Sequence, residues 1–271
     1  MPLNAIREVA AAVLGIYASR KVPRASAAMS YHLTMTVFPM IICLYAMFGQ
    51  NYDAAMRVFN YIEQFLTPAA ADLIRSFLIH VAGSGGSAVL VAAVTILFTS
   101  ASAAVRVLEG TIGEMQGGDR FKALADFVIS LVLAVALVLA VYLAFIVMVF
   151  SRGLLDWIEA AFKVTLAGSS WLGLRFLLLG GVALLLLWGA FGFARRREDR
   201  YRVLPGAAFA TAGIVVMSSA FSNLIASSAR YSLVYGSLAS LILLMLWLYL
   251  ISQTIFIGAA LNIALRDLNR K

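Results

Sequence analysis

The sequence predicts an all-α, polytopic membrane protein: six transmembrane helices, with short amphipathic helices on the extracytoplasmic side. Three observations carry that prediction. No side chain from Tyr235 to Ala264 is charged, and as a helix this run reaches about 45 Å, more than the roughly 30 Å hydrocarbon layer of a bilayer. Of the 271 residues, 63% are hydrophobic and only 13% charged, against about 25% charged in ordinary globular domains. Lysine and arginine also collect on alternate connections between apolar blocks, the pattern that orients membrane helices.

The elements follow in order. Residues 1–25 form a cytoplasmic N-terminus holding Arg7, Arg20, Lys21 and Arg24. Its stretch 3–19 is amphipathic and is expected to lie along the membrane surface. No compact apolar region with a small-residue cleavage site marks a signal peptide here. The six apolar blocks run over 26–48, 87–108, 123–150, 171–194, 204–227 and 235–264, each long enough to span. The second is rich in Ala, Ser and Thr and ends at Arg106 and Glu109, which suits the interior of a bundle rather than a lipid-facing position.

Between the first two blocks, segment 49–86 reads as an extracytoplasmic pair of amphipathic helices. Val58, Phe59, Ile62, Phe65 and Leu66 make one apolar stripe; Leu73, Ile74, Phe77, Leu78 and Val81 make a second. Thr67-Pro68 supplies an N-cap and a first-turn proline between them. Segment 152–166 is a weaker amphipathic case. The run 195–203 is a basic cytoplasmic loop. No polar segment between blocks is long enough for a separate soluble domain, so 1–271 reads as a single membrane domain.

Orientation follows from the charges. With the N-terminus inside, the inner segments hold fifteen Lys and Arg and the outer segments five, with Arg175 inside the fourth block. Both termini are therefore expected in the cytoplasm. The net charge of +8 is accounted for by this bias, so nucleic acid is not an expected partner; membrane lipids are. Whether copies of the chain associate stays open.

Little in the letters supports enzyme chemistry. The two histidines, His32 and His80, are far apart, and Cys43 is the only cysteine. No zinc-hydrolase spacing, nucleophile elbow or phosphate loop is present. No cofactor or metal is expected, and no catalytic residue is assigned.

Polar groups inside the blocks are more informative, because burying them in lipid is costly. Arg106 and Glu109 are three apart on one face, the spacing of a local ion pair. His32 sits in Ser30-Tyr31-His32-Leu33-Thr34, and Pro39 in the same block is expected to kink the helix. Ser219, Ser222, Asn223 and Ser227 share one side of the fifth block. The sixth carries Gly236, Ser240, Gln253 and Asn262. Such groups serve either helix packing or a polar path. The candidate path residues are Tyr31, His32, Pro39, Arg106, Glu109, Asn223, Tyr235, Gln253 and Asn262. The basic loop, with Arg195, Arg196, Arg197, Arg200 and Arg202, is the candidate contact for anionic lipid head groups, although it also serves topology alone.

Several segments resemble the YihY / virulence factor BrkB family of bacterial inner-membrane proteins. Ala27-Ala28-Met29-Ser30-Tyr31-His32-Leu33 through Phe38-Pro39 is similar to the family's first span. Phe98-Thr99-Ser100-Ala101-Ser102 followed by Arg106 resembles its second-span end. Leu204-Pro205-Gly206-Ala207, Tyr235-Gly236-Ser237-Leu238 and Leu246-Trp247-Leu248-Tyr249 match its last two spans. Gly258-Ala259-Ala260-Leu261-Asn262 resembles the closing pattern, with Ala260 where the family usually has Glu; Ser30 and His32 also depart from the commoner Ala and Tyr. The resemblance implies six spans, cytoplasmic termini and a place in the bacterial inner membrane. It brings no settled activity: the family once carried a ribonuclease name and has been linked to lipid or envelope transport. The leading expectation is a transporter or flippase-like protein for a lipid or other amphiphile. A scaffolding membrane protein is the alternative, and an intramembrane enzyme or ribonuclease the last.

Overall fold

The computed structural model describes residues 3–47, 56, 59–60, 75–76, 79, 87–117, 123–149, 168–194, 202–226 and 238–268. Within that set every regular element is helical: α1 (Leu3–Ser19), α2 (Val22–Met47), α3 (Ser87–Met115), α4 (Ala123–Val149), α5 (Gly168–Ala194), α6 (Leu204–Ala226) and α7 (Leu238–Leu268). Four are long and apolar enough to cross a membrane, over Val22–Ala46, Ala88–Met115, Leu204–Phe221 and Leu241–Leu268. In α4 and α5 the apolar stretches described, Val128–Leu143 and Leu179–Ala194, are shorter.

The helices begin and end for local reasons. α1 stops at a tight turn in which Lys21 takes a positive φ of 50°, and Arg24 N–H then bonds back to the Lys21 carbonyl at 2.9 Å. Pro23 falls in the first turn of α2, where a missing N–H costs nothing. Pro39 lies inside α2, which continues through it to Met47; the proline withholds the N–H that would have bonded the Met35 carbonyl.

α3 outruns its expected end at 108 by a full two turns. The apolar block of the sequence gives out at Arg106 and Glu109, yet the helix continues through Gly110 and Thr111. In place, Thr111 Oγ1 donates to the Val107 carbonyl at 2.7 Å, and Ile112 and Met115 are buried in the core. The helix is closed instead by Gly117, at φ +78°, the left-handed residue that commonly ends helices.

Successive helices from α2 to α7 pack side by side, and α7 returns to α2, so six helices close a ring in chain order. α3 also reaches across it to α5 and α7, and α1 lies against α7. One end of the ring is filled. Val22 and Met29 of α2 meet Leu108, Ile112 and Met115 of α3, Phe191 and Ala194 of α5, Val203 just before α6 and Ala207 within it, and Phe256, Ala260 and Ile263 of α7. A smaller cluster joins α3 to α4 through Leu97, Ala101, Val105, Ala134 and Val138, with Met40 and Cys43 of α2 against it.

Most of segment 49–86 lies outside the described residues. Within it, Arg75 stacks over the Phe59 ring, 5.5 Å from its centroid, and Phe59 is 2% exposed.

Candidate functional site

Lipid tails are as apolar as leucine, so membrane helices associate through close packing and hydrogen bonds rather than by escaping water. The joint between α6 and α7 shows both. Gly206 and Gly258 face each other so closely that a Cβ on either would strike the other's backbone oxygen, and a Cβ on Gly213 would strike the Thr254 methyl. Asn262 completes the joint. Its Oδ1 accepts the Gly206 N–H at 2.7 Å and its Nδ2 donates to the Val203 carbonyl at 2.9 Å. It thereby serves as an N-cap supplied from another helix, satisfying a donor that the first turn of α6 cannot satisfy itself. Asn262 is 2% exposed, with both ends of its amide engaged.

Gln253 sits higher on α7 in a relay to α1. Tyr17 Oη donates to Gln253 Oε1 at 2.8 Å, and Gln253 Nε2 donates to the Tyr249 hydroxyl at 2.6 Å. Tyr17 went unnoticed in the sequence reading. Its signal was a lone phenol on the apolar side of an amphipathic helix, beside Val13 and Ile16, which also pack on the core.

A second group forms where α2 meets α3. Tyr31 and His32 stack edge to face, with ring centroids 5.4 Å apart. Tyr31 is 50% exposed and His32 is half-buried. Arg106 of α3 lies close enough to His32 to act on it electrostatically. Arg106 is exposed as a residue, and its guanidinium donates to Ser102 Oγ at 2.6 Å in a part-buried bond. One turn on, Glu109 faces α4, where Ser130 Oγ donates to its Oε2 at 2.7 Å; Ser130 is fully buried. Because α3 runs to Met115, Arg106 and Glu109 stand well inside a helix and not at its end. At about 1.5 Å per residue Arg106 is about 14 Å from that end, and His32 about 15 Å from the start of α2.

The structure thus brings Tyr31, His32 and Arg106 together, places Glu109 beside them, and leaves Gln253 and Asn262 to separate joints on α7. Pro39 is buried further along α2. The Asn223 side chain, Tyr235, Arg195, Arg196, Arg197 and Arg200 lie outside the described residues; Arg202 is exposed at the start of α6. Ala260, where a glutamate was expected from the resemblance, is fully buried in the core. Among the described residues no group of three His, Cys, Asp or Glu could hold a metal ion.

A ring of long apolar helices joined through small and polar residues defines a polytopic α-helical membrane protein. The model of the family described as virulence factor BrkB matches residues 13–271. The chain belongs to that family. It is 26% identical to the ribonuclease-like protein YfkH of Bacillus subtilis, over 88% of this chain and 87% of that protein. It is also 26% identical to a UPF0761 membrane protein of Aromatoleum aromaticum, covering 98% of this chain and 65% of that longer protein. A UPF0761 membrane protein of Mannheimia succiniciproducens is 24% identical, over 93% and 87%. No solved structure matches the chain.

Proposed function

We propose that this protein is a six-span transporter or flippase-like protein of the bacterial inner membrane, with both termini cytoplasmic, that moves a lipid or other amphiphile. The observation that carries the reading is the Tyr31–His32–Arg106 group: ionisable and hydrogen-bonding side chains set about 14–15 Å inside two membrane helices. Charged groups at such depth are expensive and mark pathways more often than architecture. The sequence has no phosphate loop, so movement runs downhill or is coupled to another gradient. The reading includes no enzymatic activity. The ribonuclease-like name belongs to the Bacillus relative, and this chain offers no nuclease constellation.

The test is a proteoliposome assay with fluorescent phospholipid analogues and an impermeant quencher. The protein should speed exchange of lipid between leaflets, and Arg106→Gln should slow it. Exchange no faster than in protein-free vesicles, for anionic and zwitterionic lipids alike, rejects the proposal. The filled end of the ring favours a second reading, a scaffold acting through partners; that reading expects an inert protein in the same assay.

A further inference from the structure

Which lipid would the group at α2 and α3 take? The exposed side of α3 is apolar over most of its length, and one line of residues along it reaches Arg106. Ala88, Ala92, Thr95, Thr99 and Arg106 follow at helical spacing, and all are exposed. Its two threonines turn their hydroxyls back to their own helix, Thr95 to the Val91 carbonyl and Thr99 to the Thr95 carbonyl, each at 2.8 Å. What they show outward is chiefly methyl. This line is apolar outward and leads to the cation at Arg106, within a broader exposed apolar face that includes Val91 and Ile96.

The neighbouring helix α2, packed against α3, also has an exposed stripe. Arg24, Ala28, Tyr31 and Met35 are exposed along one side of α2. His32 beside them lies within electrostatic reach of Arg106. Arg24 stands in the first turn of α2, so this side runs from a cation near the membrane surface to the recessed Tyr31–His32–Arg106 group. Ser102, 3% exposed, anchors the guanidinium on the exposed side of α3 through its 2.6 Å bond.

We propose that this seam binds one anionic phospholipid from the leaflet where α2 begins and α3 ends. The phosphate docks on Arg106, with His32 and the Tyr31 hydroxyl at its rim. One acyl chain lies along Thr99, Thr95, Ala92 and Ala88. Charge complementarity selects an anion, because arginine presents a fork of donors shaped for phosphate. Depth selects a lipid over a free phosphate: the site is recessed by about nine residues of helix, and the strip leading away from the cation toward the membrane centre is apolar. Occupancy requires no transport; naming this lipid as the substrate rests on the reading proposed above.

The full chain, in nanodiscs of equal phosphatidylglycerol and phosphatidylcholine, is analysed by native mass spectrometry for retained lipid. Phosphatidylglycerol should be enriched on the wild type. Arg106→Gln should reduce that enrichment about tenfold, the scale of one charge-assisted hydrogen bond. Arg106→Lys should keep part of it. Unchanged melting and helicity of Arg106→Gln show that folding is not the cause; should that variant fail to fold, the retained charge of Arg106→Lys and a Tyr31→Phe, His32→Gln double variant take its place, with the double variant expected to lower enrichment. Equal retention of both lipids by the wild type overturns the site. So does full enrichment in Arg106→Gln, or displacement of the lipid by millimolar inorganic phosphate. The same proteins in the exchange assay separate the two claims. Enrichment without exchange keeps the site and rejects transport; exchange with full enrichment in Arg106→Gln rejects the site alone.

Discussion

The α6–α7 joint and the α2–α3 seam are built from the same kind of material, polar and small residues within apolar helices, and they end in opposite conditions. At the joint, glycines bring two backbones together and Asn262 bonds groups on both sides of the first turn of α6. At the seam, Arg106 and Tyr31 are exposed, and His32 is half-buried. A polar residue within an apolar helix therefore has no single meaning. Asn262 ties α7 to the backbone at the start of α6 and holds the protein together; Arg106, bonded to Ser102, is exposed on α3.

Substitutions should separate the regions, beginning with the largest effect on folding. Gly258→Val places side-chain atoms against the Gly206 carbonyl and the Ala210 methyl. Overpacking of this kind against backbone costs on the order of 1–3 kcal/mol or more, so the variant should give little folded protein on size-exclusion in detergent. A normal yield and melting temperature would show that the two helices part easily.

Asn262→Leu comes next. It keeps volume but strands the Gly206 N–H, at a cost of about 1–3 kcal/mol. Thermal melting should fall clearly, while Asn262→Asp, which retains the acceptor, should lose less. If leucine and aspartate behave alike, the cap contributes nothing.

Tyr17→Phe removes one hydrogen bond between α1 and α7, about 1 kcal/mol. The effect should be local: faster hydrogen exchange in α1, with the ring unaffected. Exchange spreading through α7 would make α1 part of the core rather than an attachment to it.

Arg106→Gln should change melting least, within about 0.5 kcal/mol for an exposed position, and lipid movement most. A large loss of stability instead would put Arg106 with Asn262 as a structural residue and erase the contrast between the regions.

Much of the fold was legible before any coordinates. The expected amphipathic stretch 3–19 coincides with α1, and the block 123–150 differs from α4 by one residue. Where boundaries moved, tertiary contacts moved them: the apolar block ends at Arg106 and Glu109, but Ile112 and Met115 extend α3 because a core awaits them. The site was less legible. Arg106 and His32 were singled out separately, and nothing in their spacing says that α2 lies against α3. Asn262 was grouped with a polar path because its partner lies 56 positions away. The Tyr17 bond to Gln253 crosses 236 positions, beyond any local pattern.

By itself the sequence determined that this chain forms long apolar helices. In lipid every backbone group must be satisfied within its own segment, so helix formation is a local matter that a run of letters can specify. Only the tertiary structure decided which polar side chains are consumed in joints and which stay on display. Association in lipid depends on close approach and on hydrogen bonds between residues distant in sequence, and those partners exist only once the ring has closed.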